Sequence, residues 1–446
     1  MRVTYYGQAC TLTEAGGLKI LTDPWLTEGA YHGTWFHTHI LADAGITPES
    51  FPKDIDYLFL SHEHHDHCDA STLKHFRTNL PILICRFATP KFRNYLQSLG
   101  FTDIRELASG EKISLREDLF VTIFGTVEYT NDSAILIEHA GIRVFNETDC
   151  KLAFDDLQKL GSQGIDIGFY MFSGANWYPM LYDYPEPQML DLVQRRRKSL
   201  LRSFVQRVKL TKPRVAVPAA GPCTVLASVM LWLNDERRGI FIDPALAVEE
   251  LKRANISSQP LYMAASDVWD SFTGYEAHAP ASFRAPRNDY IRAASERMAP
   301  TIARSRAAEH EAHPDLPNLL VHHFNSLLAA QTDIVRQRIN AKLALSVSGP
   351  SGGHWTVDFT APSPNFVREG ILSDWTYKIE VEDKLISPFL TGEEIFFEDL
   401  LLSLRFRCAR RPDEFNEPLY HFLYEPDPEK LHNWYSNQKA LSGGSA

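Results

Sequence analysis

Residues 62–69 read His-Glu-His-His-Asp-His-Cys-Asp and follow the apolar run Tyr57-Leu58-Phe59-Leu60. This feature restricts the chain more than any other. Its inner spacing is His-x-His-x-Asp-His: His62, His64, Asp66 and His67. Three imidazoles and a carboxylate have little reason to share one turn unless they bind metal. A strand that ends in such a loop projects alternate residues toward one point. His62 and His64 can therefore grip one ion while Asp66 and His67 turn toward a second. A solvated polar loop is the bland alternative, and the spacing argues against it.

The 446 residues suffice for two or more domains, and 44% apolar content suffices for sizeable cores. A formal charge of −11 disfavours a nucleic-acid backbone as partner. The basic cluster Arg195-Arg196-Arg197-Lys198 reads as a solvated helix face. No run reaches the roughly 18 apolar residues of a membrane span. Met1-Arg2-Val3-Thr4-Tyr5-Tyr6 reads as a strand without a signal-peptide core, so a cytoplasmic location is expected. The six cysteines are scattered, with no Cys-x-x-Cys pair, and read as reduced, buried thiols.

Along the chain, strands are expected at 2–6, 11–14, 18–22, 57–60, 81–85, 119–124, 133–137, 143–145, 166–171 and 214–218. Helices are expected at 71–77, 91–99 and 188–208. Strand clusters alternating with helices suggest two sheets with helices outside. The organisation expected is a metal-binding domain over 1–235, a helical and loop connection over 236–315, and a C-terminal α+β domain over 316–440. In the last, strands at 355–360 and 375–381 precede an amphipathic helix over 396–406.

These residues resemble the metallo-β-lactamase superfamily, whose αββα sandwich carries two metals at one edge. Five segments resemble one branch of it: 60–67, Asn131-Asp132-Ser133-Ala134, Asn146-Glu147-Thr148-Asp149-Cys150, Ser173-Gly174-Ala175 and Val217-Pro218-Ala219-Ala220-Gly221. That branch comprises the β-lactamase-like part of CMP-N-acetylneuraminate hydroxylase and stand-alone bacterial diiron monooxygenases of natural-product biosynthesis. The resemblance implies that Asp23 supports a ligand histidine by hydrogen bonding and that Asp149 bridges the metals. Most members carry a third histidine for metal one where this chain has Glu128. A carboxylate there suits iron better than an all-imidazole set does. The last family histidine is also missing, at Ala219-Ala220. Either metal two keeps an open position, or His354 or the pair His322-His323 fills it.

Two functions follow as expectations. One is a non-haem diiron monooxygenase. Metal one would have His62, His64 and Glu128, and metal two Asp66 and His67, with Asp149 between them. Dioxygen would be the co-substrate. The chain shows no ferredoxin-type cysteine cluster, no paired Cys-x-His and Cys-x-x-His of a Rieske domain, and no G-x-G-x-x-G fingerprint. Electrons would come from an external ferredoxin or reductase. The other function is a binuclear zinc or manganese hydrolase of an ester, lactone or phosphodiester. The aromatic segment holding Trp177, Tyr178 and Tyr182 is expected to line the small-molecule pocket. A faint likeness of 355–410 to sterol-carrier domains points to an apolar, terpenoid- or lipid-like substrate.

Overall fold

The computed structural model describes residues 1–126, 128–393 and 396–442, with side chains described to residue 437. The chain divides into two compact units. The first comprises residues 1–175 and 190–303, the second residues 176–189 and 304–446.

The strands of the first unit are β1 Arg2–Gly7, β2 Cys10–Ala15, β3 Leu18–Thr22, β4 Trp35–Phe36, β5 Tyr57–Phe59, β6 Ile82–Cys85, β7 Ile104–Leu107, β8 Lys112–Arg116, β9 Leu119–Gly125, β10 Ser133–His139, β11 Ile142–Asn146, β12 Ile167–Met171, β13 Val215–Ala219, β14 Thr224–Val225, β15 Gln259–Pro260, β16 Val268–Asp270 and β17 Gly274–Glu276. One sheet has the order β17-β16-β1-β2-β3-β5-β6-β7 and the other β15-β13-β12-β11-β10-β9-β8.

Alternation along the strands builds the layers. In β5, Phe59 joins Ile20, Leu83, Val121, Ile135 and Phe169 in a core contributed by both sheets. Its neighbours Leu58 and Leu60 join Leu21, Ile82 and Ile84 on the opposite face, under Phe92 and Leu96 of the helix Lys91–Ser98. In β10, Ile135 and Ile137 face the other sheet. Ala134 and Leu136 face Leu157 and Leu160 of the helix Phe154–Ser162, and Phe204 and Val208 of the helix Glu186–Thr211. Helix, sheet, sheet and helix are therefore stacked, the expected αββα sandwich. Strands buried on both faces read as continuous apolar runs, as Tyr57–Leu60 does. Each fully buried large apolar side chain contributes roughly 1.5–3 kcal/mol.

The segment 236–315 is divided between the units. Its earlier part extends the first sheet, where β16 pairs with β1 through Arg2↔Asp270 and Thr4↔Val268. The helix Arg287–Ala307 adds Tyr290, Ile291 and Ala294 to the core outside that sheet.

The second unit holds a five-stranded sheet of β18 Lys342–Ser348, β19 Gly353–Asp358, β20 Val367–Glu369, β21 Tyr377–Glu382 and β22 Phe406–Arg410, in the order β20-β19-β18-β21-β22. The helix expected over 396–406 is shorter. It spans Phe397–Leu402, Leu404 takes φ +57°, and Phe406 already pairs with Val381 of β21. No helix among the described residues is long and apolar enough to cross a membrane. All six cysteines are free and buried.

Candidate metal centre

The site forms where strand ends of the two sheets meet. Asp23 follows β3 in a left-handed conformation, φ +38°, which aspartate tolerates better than most residues. Its backbone N–H donates to Phe59 O at 3.0 Å, tying the end of β3 to that of β5. Its buried carboxylate takes three hydrogen bonds. The Ser61 N–H donates to Oδ1 at 2.8 Å, the Ser61 hydroxyl to Oδ2 at 2.6 Å, and His67 Nδ1 to Oδ2 at 2.8 Å. Because the Ser61 proton goes to Asp23, Ser61 Oγ is left to accept from His62 Nδ1 at 2.9 Å. In their neutral forms both rings then present Nε2 as a lone pair, the form a metal requires.

His62 Nε2 lies 2.8 Å from His64 Nδ1. His67 Nε2 lies 3.7 Å from Asp66 Oδ2 and 3.7 Å from Asp149 Oδ2. Donor atoms of His62, His67 and Asp149 all fall within 4.8 Å of one another. Donors bound to one ion at about 2.0–2.2 Å stand roughly 3–3.5 Å apart, so these separations fit a metal centre. Two carboxylate atoms support the fit: Asp132 Oδ1 and Asp149 Oδ1 are buried without a hydrogen bond. Electrostatics agree. Burial raises the Asp149 carboxyl, with Asp66 adding to the shift. Burial also holds Asp132 well above the usual carboxylate range, reinforced by Asp149. Burial alone would lower His67, but the carboxylates of Asp66, Asp149 and Asp23 outweigh it and hold the ring up to about 10. The pocket gathers more negative charge than it can solvate, a deficit that a cation fills.

Of the residues singled out from sequence, His62, His64, Asp66, His67 and Asp149 gather here, with Asp23 behind them. Glu128 is exposed, and its carboxylate pairs with Lys151 Nζ at 2.8 Å. The carboxylate that sequence reasoning passed over is Asp132, whose Oδ1 lies 3.4 Å from His62 Nδ1. Its signal was present: it immediately precedes β10, in a segment already noted for its resemblance. Tyr31, whose hydroxyl donates to Asp66 Oδ1 at 2.5 Å, carried no sequence signal. Loop-to-loop ties complete the frame. Asn131 Nδ2 donates to the buried Glu63 carboxylate at 3.2 Å, and the Ser133 hydroxyl to Ser61 O at 2.7 Å.

Trp177, Tyr178 and Tyr182 belong to the second unit. There Trp177 packs edge-on against Phe406, and Arg410 lies over the rings of Tyr178 and Tyr182. His354, bonded to Ser346 Oγ, and the pair His322-His323 also lie in the second unit. Cys68 and Cys150 are absorbed into hydrophobic cores.

Residues 2–197 match the family described as beta-lactamase superfamily domain. A protein of Mycobacterium tuberculosis named as a Rieske 2Fe-2S iron-sulfur protein is 30% identical over 450 residues, covering 95% of this chain and 84% of that one. The cytidine monophosphate-N-acetylneuraminic acid hydroxylase of Danio rerio is 28% identical over 236 residues, 49% of this chain and 38% of that protein. Among solved structures, the diiron β-hydroxylase CmlA from Streptomyces venezuelae is 18% identical with a TM-score of 0.39, covering 59% of this chain and 53% of that one. The chain belongs to the metallo-β-lactamase-fold superfamily, and it is an enzyme of that superfamily with hydroxylases among its relatives.

Proposed function

We propose that the chain is a non-haem diiron monooxygenase that hydroxylates a small, apolar, terpenoid- or lipid-like metabolite with dioxygen and externally supplied electrons. The observation that carries this reading is the donor set. Three imidazoles, His62, His64 and His67, stand with the carboxylates of Asp66, Asp132 and Asp149. Mixed nitrogen and oxygen ligation suits iron. Metal one would be held by His62, His64 and a carboxylate, for which Glu128 and Asp132 compete; Asp132, whose Oδ1 is buried without a hydrogen bond, is favoured over Glu128, which is exposed and paired with Lys151. Metal two would be held by Asp66 and His67, with Asp149 between the two. Bound iron would supply dioxygen activation, which no side chain here can supply. The chain's own part is preorganisation. Asp23 and Ser61 set the tautomers of His67 and His62, and Glu63 with Asn131 holds the ligand loop against the start of β10.

Likeness to proteins named as Rieske iron-sulfur proteins supports an iron-sulfur electron donor, either a Rieske-type cluster or a ferredoxin with its reductase. The aromatic segment with Trp177, Tyr178 and Tyr182, and the α+β second unit, support an apolar substrate. Protein loaded with iron(II), reduced chemically and exposed to heavy-isotope dioxygen should place one labelled oxygen in the product of a single turnover. Label arriving only from water, with full rates under anaerobic conditions, would assign the chain to the zinc or manganese hydrolases instead.

A further inference from the structure

We infer that Tyr31 positions Asp66 so that this carboxylate offers a single oxygen, Oδ2, to the metal it shares with His67. This rests on the two-metal reading above. The Tyr31 hydroxyl donates to Asp66 Oδ1 at 2.5 Å. The other oxygen, Oδ2, is the one that faces His67 Nε2 at 3.7 Å. A carboxylate with one oxygen tied in a short, charge-assisted bond coordinates through the other, whereas an untied carboxylate is free to chelate through both. Tyr31 thus sets the denticity of Asp66 and leaves metal two a position for an exogenous group.

The segment that carries Tyr31 is held in a conformation its sequence disfavours. Gly29 and Gly33 have φ +88° and +67°, and between them Tyr31 and His32 take φ +49° and +55°. Consecutive non-glycine residues in the left-handed region persist only where the surroundings determine them, and such outliers gather at functional sites. Independent ties fasten this segment to the ligand loop. The Leu26 N–H donates to Thr72 Oγ1 at 2.9 Å, and the Thr27 hydroxyl to Asp69 Oδ2 at 2.6 Å. The Tyr31 ring, 1% exposed, stacks on His65 at 5.5 Å with 8° between planes. A ring present only for packing would need no hydroxyl aimed at a ligand carboxylate.

Tyr31→Phe keeps the stacked ring and removes the bond. Titration of the metal-free full-length protein with iron(II) under anaerobic conditions, against a competing chelator, should show one equivalent bound as in the wild type. The other should bind roughly 10- to 100-fold more weakly. Unchanged affinity for both equivalents overturns the role of Tyr31 and leaves the two-metal reading standing. Wild-type protein that binds no iron overturns the two-metal reading itself. A second measurement needs no destabilising change: with 3-fluorotyrosine at position 31, the fluorine resonance should move as the equivalent that Tyr31→Phe weakens is bound. A resonance unmoved throughout a titration in which two ions bind overturns the proposal.

Discussion

Replacing Asp23 with asparagine alters one atom and turns the acceptor of two hydrogen bonds, Oδ2, into a donor, and its effect on the site can be worked out in advance. The Ser61 N–H, 2.8 Å from Asp23 Oδ1, needs an acceptor, so the amide oxygen must take that place. The amide NH2 then stands where Oδ2 stood, facing Ser61 Oγ and His67 Nδ1, at 2.6 and 2.8 Å in the native site. His67 can satisfy it only by accepting at Nδ1, which moves the ring proton to Nε2. That nitrogen faces Asp66 and Asp149, and once protonated it cannot ligate. Recovering the ligating tautomer costs a charge-assisted hydrogen bond and sets two donors against each other, about 1.5–3 kcal/mol. Affinity for metal two should therefore fall roughly ten- to hundredfold or somewhat more.

The fold should survive this change, because asparagine also tolerates φ +38° and the amide oxygen still serves Ser61. Asp23→Ala differs. It leaves three buried donors without an acceptor at about 1–3 kcal/mol each, so the loss of roughly 3–9 kcal/mol rivals a total stability of about 5–15 kcal/mol. Chelator competition measures the affinity, denaturant unfolding separates the two variants, and nitrogen-15 spectra of the His67 ring report its tautomer. Asp23→Asn protein that holds both ions at wild-type affinity, with the His67 proton still on Nδ1, would refute the reasoning.

Three further outcomes are expected. Asp132→Ala should reduce bound metal from about two ions to one per chain, while Glu128→Ala leaves it at two; elemental analysis giving the reverse would make Glu128 the ligand. His39 and His421 are lowered to about 4, by burial first, with neighbouring Arg287 and Lys430 respectively adding to it. The folded state therefore binds fewer protons than the unfolded one. The stability is complete above about pH 6.5 and is lost as pH falls toward 4, by about 2 kcal/mol per histidine at pH 5. Denaturant midpoints at pH 7 and 5 should converge in His39→Gln relative to wild type; an identical pH response would dismiss the assignment. Arg207 Nε lies 3.2 Å from Oε2 of the fully buried Glu147, so Arg207→Met should destabilise by about 3–5 kcal/mol, and adding Glu147→Leu should restore much of it, as read by unfolding.

The ligand loop was legible because its information is local. A two-face-buried strand announces itself as an apolar run, and the histidine spacing follows directly. Nothing comparable marks Tyr31, which meets Asp66 across 35 positions through a left-handed loop with no periodicity. The edge strand β8 has the burial pattern exposed, half-buried, exposed, half-buried, exposed, so Lys112-Ile-Ser-Leu-Arg shows too little apolar weight to stand out. Strands β16 and β17 depend on a partner at the far N-terminus, β1, and short segments of that kind carry little strand signal of their own. In 396–406 the run of apolar residues satisfies a helical period, yet β21 offers a free edge from Phe406 onward, and strand pairing prevails there.

The same alternation that builds the core also aims the ligands. β3 and β5 are parallel with Thr22 opposite Phe59, which brings Asp23 beside Ser61 at their common end. β10 and β11 are antiparallel with Ile135 opposite Asn146, which brings the start of one, at Asp132, beside the end of the other, at Asp149. Strand side chains alternate strictly, so a slip of one residue in either pair would exchange the buried faces and turn the donors away from their common point. Phe59 in the inter-sheet core and Leu58 outside it therefore set a register on which the reach of His62 depends. Metal binding and core packing are thus one structural problem in this fold. A conservative change such as Phe59→Leu, three residues from the nearest ligand, should weaken metal affinity as well as stability, whereas a change of equal volume in the second unit should affect stability alone.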